Sequence, residues 1–257
     1  MPGEARAAMN THVRHGLART LSKLGVCSRT EAARRILDGR VAVNGRIVRN
    51  PEHPVVRDRD RISVDGQPAG AARRYLMLNK PRGLVTTAHD ERGRDTVYRC
   101  LDDAALPWLA PVGRLDKASE GLLLMCNDPE WAAVITSPDR GPLKTYHVQI
   151  DTLPDDALIR ALAEGVEAEG DWLRAHSVAM LRSGGRNAWL EVVLDEGRNR
   201  HIRRLLAAFD IGVLRLVRVA IGPLRLGDLA KGCWRELAHD EVAALAGPVP
   251  ATAPPAD

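Results

Sequence analysis

Near its centre the chain reads Leu109-Ala110-Pro111-Val112-Gly113-Arg114-Leu115-Asp116-Lys117-Ala118-Ser119-Glu120-Gly121-Leu122-Leu123-Leu124-Met125, a charged, glycine-bounded loop between two apolar runs. The runs predict buried strands, because short apolar segments bounded by turn residues are typical of sheet cores. A carboxylate on such a loop is either a turn residue or a reactive group presented by a rigid scaffold. Taken alone, Asp116 is better interpreted as a turn residue. Whether it is instead a reactive group depends on the residues elsewhere in the chain.

The composition predicts a soluble intracellular protein with a small module and a larger domain. The chain has 257 residues, 45% of them hydrophobic, which is ordinary for a globular protein. We find no apolar run approaching the length of a membrane span and no charged-then-apolar leader at Met1 to Asn10. The four cysteines are far apart and form no Cys-x-x-Cys pair, so we expect reduced thiols, no metal site and a cytoplasmic location.

The charge distribution points to a polyanionic partner. Although the net charge is only +4, arginine and lysine clearly outnumber aspartate and glutamate between residues 14 and 74. Such a local excess is typical of nucleic-acid-binding surfaces, with a merely solvated surface as the alternative.

The N-terminal segment predicts a module of two helices and a small sheet, over residues 14–70. Leu17, Leu21 and Leu24 recur at helical spacing up to Gly25, and Ser28-Arg29-Thr30-Glu31 has capping-box spacing before a second helix ending at Gly39. Val41 to Val48, with Asn44-Gly45 at its centre, predicts a hairpin, and Arg61 to Val64 a further strand. We expect residues 1–13 and 246–257 to be mobile tails.

Residues 16 to 64 resemble the S-four RNA-binding domain, named after a small-subunit ribosomal protein. The resemblance lies in the runs Leu17 to Gly25, Ser28 to Ala32 and Val41 to Gly45. It implies that the paired helices bind structured RNA through their cations, for which the candidates are Arg19, Lys23, Arg29, Arg34 and Arg35. The module is a binding domain and implies no catalysis.

Residues 71–245 predict a larger α+β domain with a mixed, mainly antiparallel sheet, because strands outnumber helices and often follow one another. In Lys144 to Ile150, alternation places Lys144, Tyr146, Val148 and Ile150 on one face of a strand. The other predicted elements are a strand at Tyr75 to Leu78 and a turn at Asn79 to Gly83, a helix opened by Asp128-Pro129-Glu130, a helix over 155–164, strands near 175–179, 189–194, 213–219 and 224–226, and a basic helix over 198–209. No glycine-rich nucleotide-binding motif occurs, so we expect no nucleotide cofactor.

The predicted basic helix carries its arginines at the wrong end for the helix dipole, which favours acids at the N-terminus. These residues are Arg198, Arg200, Arg203 and Arg204. Charges placed against that preference indicate a partner, either an internal carboxylate or an RNA phosphate, with a solvated helix as the alternative.

Four segments, in order, resemble the pseudouridine synthases that modify ribosomal RNA, in the branch with an N-terminal S-four domain: Tyr75 to Gly83, Val112 to Asp128, Lys144 to Val148 and Glu196 to Gly222. The resemblance implies that Asp116 is the catalytic aspartate and that Arg203 pairs with it. Tyr146 would pack on the target base and is a candidate proton acceptor, while Arg114 would accompany the flipped nucleotide. The further substrate-binding candidates are Lys144, Arg198 and Arg200.

The chemistry implied by this resemblance is isomerisation of uridine to its C-glycoside by cleavage of N1–C1′ and rejoining through C5. One carboxylate, one proton acceptor and a dry pocket suffice, so the resemblance implies no cofactor and no metal. An adjacent Arg203 would favour the ionised form of Asp116. Glu196 to Arg200 and Ile221 to Leu224 resemble the large-subunit (23S) branch more closely, with a small-subunit target as the alternative. We expect a monomer that acts on ribosomal RNA or on a pre-ribosomal particle.

Two alternatives remain open at this point. A glycoside hydrolase could use Asp116 and Glu120 as its two carboxylates, although a neutral sugar needs no basic surface. A non-catalytic ribosomal RNA-binding or assembly factor would share the S-four module and the cationic segment, but binding alone does not require the combination of Asp116, Tyr146 and Arg203.

Overall fold

The computed structural model describes residues 13–57, 59–70, 72–88, 90–102 and 104–247. The chain divides into two compact units between Ala72 and Arg73. Of the two predicted tails, residues 1–12 and 248–257 lie outside the described residues. The prediction of a tail from residue 246 was wrong at its start, because a helix continues through Ala246.

The first unit is built from short elements, as its sequence predicts. Their bounds are β1 (His15–Gly16), α1 (Leu17–Lys23), α2 (Arg29–Leu37), β2 (Val41–Val43), β3 (Arg46–Ile47), β4 (Pro54–Val55), β5 (Ile62–Val64) and β6 (Gln67–Pro68). The Ser28 side chain caps α2 by accepting a hydrogen bond from the Glu31 amide at 3.2 Å. Asn44 and Gly45 both have positive φ in the β2–β3 turn, which is the geometry that Asn-Gly favours.

The core of this unit lies between the helices and an antiparallel sheet of order β3-β2-β5-β6. Leu17, Leu21, Ile36, Val41 and Val55 are fully buried there. The pair β1–β4 and the strand β6 were not predicted, because two-residue strands have no periodicity that a sequence pattern can reveal.

The second unit has a mixed sheet of order β13-β14-β10-β15-β9-β7-β17, with β16 paired to β15 and β8 to β9. The strands of the whole unit are β7 (Tyr75–Lys80), β8 (Ala110–Val112), β9 (Glu120–Cys126), β10 (Lys144–Ile150), β11 (Val166–Ala168), β12 (Asp171–Leu173), β13 (Ser177–Ser183), β14 (Ala188–Leu194), β15 (Val213–Ile221), β16 (Leu224–Arg225) and β17 (Trp234–Glu236). The strands β11 and β12 pair with each other as a separate antiparallel hairpin. The pairing of β9 with β15 is parallel, and the other pairings in this sheet are antiparallel. The α+β prediction with a mainly antiparallel sheet is confirmed.

Helices cover this sheet on both faces. They are α3 (Pro129–Thr136), α4 (Asp156–Glu164), α5 (His201–Ala207) and α6 (His239–Ala246). One core contains Leu123, Val148 and Ile202, and receives α4 and α5. The other contains Leu122 and Trp131 under α3 and α6, where the Trp131 indole donates to the Val242 carbonyl at 3.1 Å. Within the described residues, no helix is both long and apolar enough to cross a bilayer.

Two predicted elements in this unit differ from the structure. Asn79 and Lys80 belong to β7 rather than to a turn, because they pair with Leu122 and Gly121 of β9. The basic helix begins at His201 and not at Arg198, because Arg200 adopts a left-handed conformation (φ 49°) that ends the preceding turn. Arg198 therefore lies outside the helix, and the dipole argument does not apply to it. The elements β11, β12, β17 and α6 were not predicted.

Candidate active site

A cavity of about 580 Å³ opens in the second unit where the loop between β8 and β9 and the strands β10 and β15 meet the turn before α5. Its walls combine apolar side chains with several charged ones. The apolar lining includes Val112, Leu115, Ile135, Leu194, Ile202, Leu216 and Ile221, and the polar lining includes Arg114, Asp116, Ser119, Lys144, Tyr146, Glu196, Arg198, Arg200, His201 and Arg218. A mostly apolar concavity with a few converging charged groups is typical of a ligand site.

The loop that carries Asp116 is fixed through its backbone. Lys80 is fully buried, and its Nζ donates to the carbonyls of Ser119 at 2.8 Å, Pro81 at 3.1 Å and Asp116 at 3.2 Å. The Thr86 hydroxyl donates to the Leu115 carbonyl at 2.7 Å. Burial lowers the pKa of Lys80 to about 8, against the opposing effect of the nearby Asp116. Lys80 thus fixes the loop through hydrogen bonds to its backbone.

The carboxylate of Asp116 itself is uncommitted. Among the described residues, it accepts no hydrogen bond and forms no ion pair within 4.0 Å. The other acid in the cavity, Glu196, accepts a hydrogen bond from Nε of Arg198 at 2.8 Å. Asp116 is therefore the acid that can meet a ligand without first breaking an ion pair.

Arg203 supports the same loop rather than pairing with its carboxylate. Its guanidinium donates to the carbonyls of Ala118 and Val213, both at 3.3 Å. Burial lowers the pKa of Arg203, and Asp116 opposes that shift, so the two charges lie within electrostatic reach of one another. The direct ion pair that the resemblance implied is absent among the described residues, and the guanidinium instead connects the Ala118 carbonyl of the loop to the start of β15.

Tyr146 forms part of the apolar wall. It is 9% exposed and shares a face of β10 with Val148 and Ile150, as the strand alternation predicts. Its neighbour on β15 is Arg218, where a bulge shifts the register. An aromatic ring in this position offers a stacking surface to a planar ligand.

Two cations near Tyr146 have no acid partner. Burial lowers the pKa of Lys144, and the charge of Arg218 lowers it further. Arg218 is 6% exposed, and its Nε donates to the Leu122 carbonyl at 2.7 Å. Among the described residues, no carboxylate lies within 4.0 Å of either side chain. The cavity wall beside Tyr146 therefore carries two cations that no carboxylate neutralises.

The arginines around α5 are largely committed to acids. Arg198 donates to Glu196 and to Asp171, each at 2.8 Å, and Arg204 donates to Asp171 at 2.8 Å. These pairs connect the turn before α5 to the β11–β12 hairpin. Arg200, in contrast, is exposed at the mouth of the cavity.

His201 is buried beneath this turn. Its Nε2 lies 2.9 Å from the Arg174 carbonyl, which can only accept, so Nε2 is the donor. Its Nδ1 lies 3.6 Å from Glu196, and burial lowers the pKa of the ring.

The comparisons with known proteins agree on one family. A family model for RNA pseudouridylate synthase matches residues 74–208, and a model for the S-four domain matches residues 16–60. An Aquifex aeolicus protein named as an uncharacterized RNA pseudouridine synthase is 39% identical over 227 residues, which cover 88% of this chain and 91% of the relative. This chain belongs to the RNA pseudouridine synthases.

Further relatives support the assignment. An uncharacterized RNA pseudouridine synthase of Mycobacterium leprae is 36% identical over 238 residues, covering 89% of this chain and 91% of the relative. A crystal structure described as a pseudouridylate synthase superposes with a TM-score of 0.64 at 28% identity, covering 91% of this chain and 99% of that one. The protein is thus an RNA-binding enzyme that isomerises uridine to pseudouridine, and the prediction of an S-four domain is confirmed.

The residues predicted for substrate contact in this pseudouridine synthase come together. The cavity is lined by Asp116, Arg114, Tyr146, Lys144, Arg198 and Arg200, whereas Arg203 lies behind the loop. Glu120, the second carboxylate of the hydrolase alternative, does not line it. Instead Glu120 is bound by Arg215 at 2.9 Å and Lys231 at 2.5 Å.

Lys80 and Arg218 were missed by the sequence analysis. The signal for Lys80 was an apolar strand running directly into a lysine. The signal for Arg218 was its position on the same alternating face of β15 as the buried Leu216 and Ala220.

The cations predicted to bind RNA in the S-four domain differ in their commitments. Arg34 and Arg35 both bind Glu31, at 2.8 and 2.9 Å, and Arg29 lies 3.6 Å from Glu52. Arg19 and Lys23 form no ion pair within 4.0 Å among the described residues. Of the five predicted cations, these two would break no ion pair on meeting a phosphate.

Proposed function

We propose that this pseudouridine synthase modifies a uridine of ribosomal RNA, in the large subunit (23S), with Asp116 as its catalytic carboxylate. The observation that carries the assignment of Asp116 is its uncommitted carboxylate, on a loop fixed through its backbone, at a cavity that also contains Tyr146. The target base leaves the RNA stack and enters the cavity, at a cost of a few kcal/mol that contacts inside must offset.

In this proposal each residue has a role that suits its exposure. Asp116 acts at C1′ when the N1–C1′ bond breaks. Tyr146 packs against the uracil and is a candidate acceptor for a ribose proton. Arg114 and Arg200 are exposed at the mouth, where the phosphates of the flanking nucleotides pass, and Lys144 and Arg198 complete the substrate contacts. Arg203 acts on Asp116 through the loop backbone.

The ribosomal target rests on the S-four domain and on the likeness of residues 196–200 and 221–224 to the large-subunit branch. The S-four cations add affinity for structured RNA. We propose further that the protein works as a monomer in the cytoplasm, on ribosomal RNA or a pre-ribosomal particle. The free thiols of its four cysteines support a reducing compartment.

Asp116→Asn tests the catalytic assignment. The variant should bind ribosomal RNA as the wild type does, but release no tritium from RNA labelled at C5 of uridine. Asp228→Asn, an exposed aspartate in the same unit, is the matched control and should retain activity. Tritium release by Asp116→Asn at the wild-type rate would refute the assignment.

Mapping pseudouridines in ribosomal RNA from cells with and without this protein tests the target. We expect one large-subunit pseudouridine to disappear when the protein is absent. A loss confined to small-subunit RNA would contradict the subunit, and unchanged ribosomal RNA would contradict the ribosomal target.

A further inference from the structure

Buried polar atoms without partners converge on the cavity. Among the described residues, Ser119 Oγ, His201 Nδ1 and Arg218 Nη2 are buried and make no hydrogen bond, and all three residues line this space. Unpaired buried polar atoms destabilise a folded protein, so native structures pair nearly all of them. These three residues therefore have unused hydrogen-bonding capacity at the wall of the cavity.

Arg218 is the cation among the three, and its position differs from that of the other arginines. Its backbone lies between Tyr146 of β10 and Gly121 of β9. Its Nε is held by the Leu122 carbonyl, and its buried Nη2 has no acceptor among the described residues. Arg114 and Arg200 are exposed at the mouth, whereas Arg218 is 6% exposed, at the depth of the Tyr146 ring. A base that stacks on Tyr146 brings its carbonyl oxygens to this depth, so a carbonyl of the base is the acceptor that suits Arg218.

We propose that Arg218 is a further catalytic residue, which donates a hydrogen bond to a carbonyl oxygen of the flipped uracil and stabilises the negative charge of the departing base. When the N1–C1′ bond breaks, its electron pair stays on the uracil and spreads over N1, O2 and O4, while Asp116 meets the positive charge at C1′. C5 then bonds to C1′ and loses its proton, and N1 gains one, so substrate and product have the same composition. Preorganised donors aimed at developing charge are among the largest contributions to catalysis.

This inference rests on the proposed role of Asp116 at C1′ and not on which RNA is modified. Arg218→Gln removes the charge and the outer nitrogens of the fork, and Arg218→Lys keeps the charge but loses the fork. Arg225→Gln is the matched control, since Arg225 is exposed and lies outside the cavity lining. The substrate is the RNA found by mapping, so a wrong ribosomal target is recognised before Arg218 is tested.

We expect single-turnover tritium release to fall about 100-fold or more in Arg218→Gln and about 10-fold in Arg218→Lys, as for loss of an oxyanion-hole donor, with RNA dissociation constants within about threefold of the wild type. Arg225→Gln should match the wild type. Thermal unfolding reports whether each variant is folded, and Arg218→Lys serves in the following experiment if Arg218→Gln is not. Wild-type rates in a folded Arg218→Gln would overturn the proposal.

Thio-substituted substrates separate a direct contact from a structural role. Sulfur accepts hydrogen bonds weakly, so 2-thiouridine or 4-thiouridine at the target position weakens one specific contact. One of the two substitutions should slow the wild type and have no further effect on the Arg218 variant, because residue and atom form one interaction. Fully additive slowing by the variant and by both thio-substitutions would overturn the proposal.

Discussion

Gly121→Ala tests whether the close approach of β9 and β15 maintains the site. Gly121 has φ +99°, and a Cβ at this position would overlap the carbonyl oxygen of Arg218 and lie 2.9 Å from its amide nitrogen. The obstructing atoms are backbone, so they cannot rotate away as a side chain would. The same two residues form the register of the parallel pair between the strands, together with Glu120 and Val217.

The expected cost has two parts. A left-handed conformation costs an alanine about 1–2 kcal/mol, and forcing extra volume into a packed interior costs about 1–3 kcal/mol more. The sum of about 2–5 kcal/mol corresponds to a melting temperature lower by about 4–20 °C for a unit of this size. Because β9 follows the Asp116 loop and β15 carries Arg218, the rate of tritium release should fall as well.

Gly227→Ala is the control for backbone strain alone. Gly227 has φ +57° and nothing within 4 Å of the added Cβ, so we expect only the conformational cost of about 1–2 kcal/mol and wild-type activity. Calorimetry and single-turnover assays on both variants make the comparison. Equal melting temperatures for the two variants would refute the argument that the strand contact leaves no room.

Three further predictions concern charged groups. Lys80→Met removes the donor shared by the carbonyls of Ser119, Asp116 and Pro81, so the single-turnover rate should fall about 100-fold with RNA affinity within about threefold. Lys117→Met, which removes an exposed lysine of the same loop, should change the rate far less, and a Lys80→Met rate near the wild type would contradict this role. Arg215 and Lys231 lower the pKa of Glu120 to about 2. The stabilising effect of the Glu120 carboxylate is therefore complete above the unfolded-state pKa near 4.5, and it is lost as the pH falls toward 2. Glu120→Gln should reduce the free energy of unfolding by about 2–3 kcal/mol at pH 7, and denaturant titrations should show this difference shrinking between pH 4.5 and pH 2. In the S-four domain, the double variant Arg19→Gln, Lys23→Gln should reduce the slope of log affinity against log salt by up to about 2. The double variant Arg34→Gln, Arg35→Gln should reduce the slope less, because these two arginines already bind Glu31. Equal slopes for the two double variants would argue against this distinction.

The elements that could be predicted from sequence are those determined by neighbouring residues. Ser28 caps α2, Asn44-Gly45 makes the β2–β3 turn, and Asp128 with Pro129 starts α3, where the Asp128 side chain accepts from two backbone amides. Each of these depends on contacts within a few positions, which a sequence pattern contains. Lys80 shows the limit, because Pro81 and Gly83 suggest a turn while hydrogen bonds to β9, about 40 residues away, extend the strand.

The residues of the site also fall into those that local sequence predicts and those that depend on long-range contacts. Asp116 and Tyr146 could be placed because the loop and the alternating strand are visible locally and because four segments resemble one family. The buried cations could not, since what makes them functional is their long-range environment. Lys80 binds a carbonyl 39 positions away, and Arg218 binds one 96 positions away. No local sequence pattern predicts that a lysine in a strand will donate hydrogen bonds to three carbonyls.

The geometry of Arg203 changes how its relation to Asp116 should be understood. A direct ion pair would occupy the carboxylate oxygens, and a substrate would have to break it before meeting the acid. In the structure, Arg203 and Lys80 instead donate to the carbonyls of Ala118, Asp116 and Ser119, and the carboxylate of Asp116 accepts no hydrogen bond among the described residues. A group that is preorganised through its backbone needs no rearrangement when a ligand arrives. The separation of holding the loop from pairing with the acid therefore keeps the carboxylate of a half-buried aspartate available to a ligand.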